Sequence, residues 1–158
     1  MIEIYTLKKE ALYNALEKIL LERTCSALTA KTTNGKPYAV NGGLEFSLSH
    51  SGQKALLVIS DKPVGADLEI CKGRRRDSVI SRFSPREQSE ILSEKDFLFH
   101  WTVREAYIKL IGGTLAEYFK RLEFFGGELF LDGSKLNVKI TKHILDSGIA
   151  AVCTENRG

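Results

Sequence analysis

A chain of 158 residues, 43% hydrophobic and 27% charged, is long enough to bury its own core without disulfides or a structural metal. Its net charge of +3 leaves the two signs nearly balanced, too weak a field to argue for nucleic acid but compatible with an anionic small molecule or an acidic protein partner. Cys25, Cys71 and Cys153 lie far apart, the opening MIEIYTLKKE lacks a signal-peptide pattern, and no window approaches the roughly 20 apolar residues of a membrane span, so a soluble cytoplasmic chain with reduced thiols is expected.

The first element is a short alternating strand, IEIYTL. From Lys8 to about Leu28, Leu12, Leu16, Ile19, Leu20 and Arg23 recur at helical spacing and predict a long amphipathic helix. KTTNGKP (31–37) reads as a polar turn. LEFSLSH, QKALLVIS and VGADLEI are predicted strands separated by SGQ and DKP, a spacing that suits neighbouring antiparallel strands. After the basic loop KGRRRD, Ser84, Pro85 and Glu87 supply the N-cap, first position and S-x-x-E pattern of a helix start. A second long helix is predicted from about Asp96 to Ile111, ended by Gly112-Gly113. RLEFF, ELFLD, LNVKIT and GIAAVC return the tail to strands, with LDGSK as a hairpin turn. The order is mixed α+β, one domain over 1–158, with a long helix in each half.

Three stretches carry chemistry. In VGADLEI (64–70), strand alternation puts Asp67 and Glu69 on one face, opposite Ala66, Leu68 and Ile70. Two close carboxylates repel unless water screens them or a cation sits between them, and magnesium prefers such oxygens. The plainer reading is a half-exposed strand with an acidic face. In FSLSHSG (46–52), Ser49, His50 and Ser51 stand at a strand end, where hydroxyls, imidazole and backbone N–H groups suit phosphate oxygens. A strand-end histidine bonded to a nearby carbonyl is the alternative. A nucleophilic triad is disfavoured, because adjacent Ser and His point to opposite faces and no G-x-S-x-G is present.

The third stretch is WTVREAYIK (101–109). Phe97, Trp101, Arg104, Ile108 and Ile111 fall within one broad helix face, with Glu105 on its border one turn from Lys109. The pair is either an i,i+4 bridge worth about 0.2–0.5 kcal/mol, or Glu105 faces a cleft as a third oxygen ligand with Lys109 beside a phosphate. Three carboxylates, a histidine and a lysine make the inventory for a metal-bound pyrophosphate.

Taken in order, GKP (35–37), FSLSHSG, VGADLEI, FSPREQSEI (83–91) and WTVREAYIKLIGG (101–113) resemble the motifs of the 4'-phosphopantetheinyl transferase superfamily: G-K-P, S-H-S, G-I-D-I-E, F-x-x-x-E and W-[ST]-x-K-E-A-x-x-K. The resemblance implies an α+β fold of two pseudo-symmetric halves (1–60 and 61–158), each a long helix packed on a small, mostly antiparallel sheet. It implies transfer of the phosphopantetheine arm of coenzyme A to a serine of an apo acyl or peptidyl carrier protein, releasing adenosine 3',5'-bisphosphate. Carried onto this chain, it gives Asp67, Glu69 and Glu105 as magnesium ligands, with manganese as a substitute. Glu105 is also the general base, His50 and Lys109 meet coenzyme A phosphates, and Lys36 and Ser49 hold the nucleotide end. Lys72, Arg74, Arg75 and Arg76 either steer an acidic carrier or form only a solvated basic loop.

Arg104 stands where the family has lysine and Ala66 where it has isoleucine, and only about thirty-five residues precede GKP, so the resemblance is to a compact, monomeric version of the long, peptide-synthetase-activating type. Neither nucleic acid nor membrane is an expected partner. A carrier-binding module without turnover is the alternative from another class.

Overall fold

The computed structural model describes residues 1–156. Strand β1 (Ile2–Lys8) passes through a 3-10 turn at Lys9–Ala11 into helix α1 (Leu12–Thr24). That helix is shorter than expected at both ends, and Cys25 closes it in the left-handed region with φ 57°. The NG turn joins β2 (Thr29–Lys31) to β3 (Pro37–Ala39), and β4 (Glu45–Ser51), β5 (Lys54–Ser60) and β6 (Val64–Ile70) follow. Short helices α2 (Asp77–Ile80) and α3 (Pro85–Gln88) precede the long α4 (Glu94–Ile111) and the brief α5 (Leu115–Tyr118). The tail forms β7 (Leu122–Phe125), β8 (Glu128–Leu131), β9 (Ser134–Lys135), β10 (Val138–Leu145) and β11 (Gly148–Glu155).

Two antiparallel sheets, β1-β5-β4 and β10-β11-β6, make the centre. Leu12, Leu16, Ile19 and Leu20 of α1 bury one face of the first sheet through Phe46, Leu57 and Ile59. Its other face, Leu56 and Val58, packs on Ala66, Leu68, Ala150 and Val152 of the second. The far side of the second sheet carries Ala151 and Cys153 against Val103, Ala106 and Leu110 of α4. The layers therefore run helix, sheet, sheet, helix. No helix among the described residues is long and apolar enough to cross a membrane.

Three expectations change. Strands β4 and β5 do form an antiparallel hairpin, but β6 does not pair with β5; it pairs with β11 in register Leu68↔Ala150, and the DKP turn moves the chain between sheets. Long-range pairing of this kind leaves no trace in local alternation. Helix α4 is not amphipathic with one buried stripe: it is buried on nearly every side, and Ile111 of the presumed core face is 41% exposed. Ser84 caps α3 as expected, but the Glu87 side chain does not complete the cap; it turns inward to Arg104 and His100.

Glycine sets how closely β6 lies on α4. A Cβ at Gly65 would stand 1.8 Å from the Ala106 carbonyl oxygen and 2.4 Å from the Leu110 nitrogen, so only glycine allows strand and helix backbones to touch. Helix α4 is fixed at both ends, by a Ser93–Asp96 capping box and by Gly112 in the left-handed region at φ 67°.

Candidate active site

A cleft of about 690 Å³ opens between α1, the β2–β3 hairpin and the C-terminal part of α4. All seven residues singled out from the sequence line it: Lys36, Ser49, His50, Asp67, Glu69, Glu105 and Lys109. Two come from β6 and two from α4, brought together because Gly65 lets that strand lie on that helix.

Lys109 does not pair with Glu105 one turn back. Its Nζ donates to Asp67 Oδ1 at 2.8 Å and to the Leu48 carbonyl at 3.2 Å. That joins α4 to β6 and β4 in one contact set. The other carboxylate oxygen, Asp67 Oδ2, is buried without a hydrogen-bond partner. Glu105 has its carboxyl raised above the usual range, first by burial and then by the negative charges of Asp67 and Glu69, against the pull of Lys109. Such a carboxylate gains from any cation that enters the cleft. The three acids share the cleft but do not form a closed ligand set: among the described residues no three His, Cys, Asp or Glu groups are gathered as a metal site. Lys109 occupies one oxygen of Asp67, and the other stays without a partner.

Ser49 is also committed. Its hydroxyl donates to Asp67 Oδ1 at 2.8 Å and accepts from Leu68 N–H at 3.1 Å, so its proton is not free for a phosphate at the nucleotide end. Ser51 repeats the pattern two residues on, donating to Glu69 Oε2 at 2.9 Å and accepting from Ile70 N–H at 3.2 Å. Ser47 accepts from Ala66 N–H at 2.9 Å. The sequence reading missed Ser47 and the S-x-S-x-S spacing, which is the signal that three hydroxyls share a face.

His50, on the opposite face of β4, is exposed at the rim. The Lys36 ammonium donates to the Leu110 carbonyl at 3.0 Å, and Asn34 Nδ2 donates to the Gly112 carbonyl at 2.9 Å, so the NGKP turn satisfies carbonyls at the end of α4. Burial holds the Lys36 amine below the usual lysine range, and Glu45 opposes the shift. Two of its three protons remain for an anion.

Behind Glu105, on the same helix, Arg104 is 1% exposed and its guanidinium binds both carboxylate oxygens of Glu87 and the Leu122 carbonyl. His100 Nδ1 stands 2.9 Å from Glu87 Oε1, and the Phe83 ring lies 4.1 Å from the guanidinium carbon. Burial pushes the Glu87 carboxyl up, but the bonds from Arg104 and His100 outweigh it and leave the group below the usual range. Glu87 and His100 were not anticipated in this role.

The basic loop after β6 is exposed at Lys72, Arg74 and Arg75. The N–H groups of Lys72 and Gly73 donate to Glu94 Oε1 and Oε2 at 2.6 and 3.0 Å, tying the loop to the first turn of α4.

A sequence model of the 4'-phosphopantetheinyl transferase superfamily matches residues 63–146, more than half of the chain. The chain belongs to that superfamily. Asp67, Glu69, Glu105 and Lys109 fall inside the segment that identifies it as a superfamily member, whereas Lys36, Ser49 and His50 precede it. Among individual proteins, it is 33% identical over 89 residues to a 4'-phosphopantetheinyl transferase of Bacillus subtilis, covering 52% of this chain and 40% of that one. It is 34% identical over 109 residues to the 4'-phosphopantetheinyl transferase AcpT of Salmonella typhimurium, covering 61% and 57%. A match at 28% identity to an L-aminoadipate-semialdehyde dehydrogenase-phosphopantetheinyl transferase of Xenopus laevis covers 82% of this superfamily member and 47% of the Xenopus protein. The chain thus spans about half the length of these curated relatives.

Proposed function

We propose that this chain transfers the 4'-phosphopantetheine arm of coenzyme A to a serine hydroxyl of an apo acyl or peptidyl carrier protein. The observation that carries the reading is the convergence, in one cleft, of Asp67, Glu69, Glu105 and Lys109, all from the matched segment. The named activities of the relatives point the same way.

In this reading the cleft holds the pyrophosphate of coenzyme A near the acids and Lys109. Lys36 and His50 add positive or hydrogen-bonding groups at its margin. Asp67, Glu69 and Glu105 would hold a magnesium or manganese ion; the orphan Oδ2 of Asp67 and the raised carboxyl of Glu105 fit such an ion. When bound, the ion supplies charge neutralisation on the pyrophosphate. Glu105 accepts the proton of the carrier serine. The serine oxygen forms a bond to the β-phosphorus, and the bond from that phosphorus to the bridging oxygen breaks. The electron pair leaves on adenosine 3',5'-bisphosphate, whose charge Lys109 helps offset.

We further propose that residues 1–60 and 61–158 act as two related halves around the cleft. The chain would work as a cytoplasmic monomer, without nucleic acid or membrane as partner. The exposed cations at 72, 74 and 75 would attract an acidic carrier.

The test is to incubate the protein with magnesium, coenzyme A and a panel of apo carriers and to follow carrier mass. The phosphopantetheine increment on the carrier serine is the expected result. Carrier binding with no increment across the panel would replace the enzyme by a binding module.

A further inference from the structure

Strand β6 ends its sheet, and the N–H groups of Ala66, Leu68 and Ile70 point away from β11 toward β4. No backbone ladder meets them. Instead Ser47, Ser49 and Ser51 supply one hydroxyl each, in ascending order on both strands, so β4 runs parallel to β6 and replaces a ladder with side chains. Every one of these hydroxyls accepts a backbone N–H, but they differ in where their own proton goes. Ser49 gives it to Asp67 and Ser51 gives it to Glu69, while Ser47 faces only the Ala66 carbonyl, at 3.5 Å.

Had the serines served the strand edge alone, the donors need not have selected both carboxylates of the cleft. Each bond fixes one oxygen of its acid. For Asp67, Ser49 and Lys109 both take Oδ1, which leaves Oδ2 buried and unpaired. An acid held by one oxygen presents the other in a set direction, and that lowers the entropy cost of binding a cation.

We propose that Ser49 and Ser51 are positioning residues that hold Asp67 and Glu69 with one oxygen of each directed to a divalent cation, and that Ser47, the third hydroxyl of the row, serves the strand edge alone. The proposal rests on the metal reading given above. It assigns the two serines to the acids rather than to coenzyme A.

The experiment measures Mn2+ binding to the free protein by electron paramagnetic resonance, without coenzyme A or carrier, for wild type, Asp67→Ala, Ser47→Ala, Ser49→Ala and Ser51→Ala. Amide hydrogen exchange is recorded on the same samples. Each serine variant loses an acceptor on β6, so exchange should quicken at residues 66, 68 and 70 respectively. Mn2+ affinity should fall about 10-fold or more in Ser49→Ala and Ser51→Ala and stay at the wild-type value in Ser47→Ala. Ser51→Thr, which keeps the hydroxyl, should restore it; because Ser51 is the outermost of the three, its variants decide the matter even if Ser49→Ala does not fold. Equal losses in all three alanine variants, or none in any, would overturn the positioning role. Wild-type binding that ignores Asp67→Ala would overturn the metal reading and this proposal together, whereas Asp67-dependent binding that ignores Ser51→Ala overturns this proposal alone.

Discussion

Lys109 reaches past Glu105, its neighbour one helical turn back, and places Nζ 2.8 Å from Asp67 Oδ1, 42 residues away in sequence. The pair crosses from helix to strand at the floor of the cleft, where the Asp67 side chain is 8% exposed and that of Lys109 30%. Lys109→Met removes the cation and leaves a buried carboxylate facing Glu105 and Glu69. Chemical denaturation should register a loss of about 1–3 kcal/mol, and transfer should fall roughly 100-fold, as when one oxyanion donor is lost. Near-normal turnover would take Lys109 out of the site.

Glu105→Gln should separate activity from stability. Its carboxyl is raised by burial and by Asp67 and Glu69, so the sign follows directly: a raised acid stabilises the fold below the unfolded-state pKa, and that contribution is lost as pH rises through the folded-state value. At pH 8 the variant should therefore melt higher than wild type, in the absence of divalent ions, while transferring nothing. A variant that melts lower at pH 8, or that retains transfer, contradicts the assignment.

Arg104→Met strands Glu87 without its partner, and the cost should be about 3–5 kcal/mol, as for breaking a buried pair. The double variant Glu87→Gln/Arg104→Met should recover much of it. Because Glu87 is held below the usual range, the wild-type advantage should shrink as pH falls through the folded-state value, present above the unfolded one. Urea titrations of the three proteins at neutral and acidic pH check both statements.

Gly65→Ala meets backbone, not a movable side-chain tip, with its Cβ 1.8 Å from the Ala106 carbonyl. The strand or the helix must retreat, and the cost should exceed about 3 kcal/mol. Asp67 and Lys109 should part with it, so circular dichroism melting and activity should fall together. A stable, active Gly65→Ala protein would mean that the close strand-helix contact is dispensable.

Much of this was readable from residue type and spacing. Strand alternation placed Asp67 and Glu69 on one face, the Ser93 cap lay three residues before the predicted helix start, and Gly112 ended α4 as expected. The acids and Lys109 share one cleft because Gly65 lets β6 lie against α4. What stayed hidden is non-local. Nothing near VGADLEI says that its partner is GIAAVC, about eighty residues on, and not the strand just before it. Glu87 satisfied a local capping pattern, which masked its bond to an arginine 17 residues away. Glu105 and Lys109 satisfied a helix-pair pattern in the same way, yet Lys109 chose Asp67. In each case a short-range rule was compatible with the sequence and a buried long-range partner outcompeted it.

The row of serines has a consequence outside chemistry. A strand at the rim of a sheet normally presents open amides on which a foreign chain can polymerise, but β6 has its amides stoppered from within by its own molecule. The opposite rim, β10, is protected by other means, with Lys139 and Lys142 set in water where they repel an incoming strand. Replacing all three hydroxyls would therefore leave amides of β6 unpaired and still covered by β4, a cost to folding and not a sticky rim open to another chain.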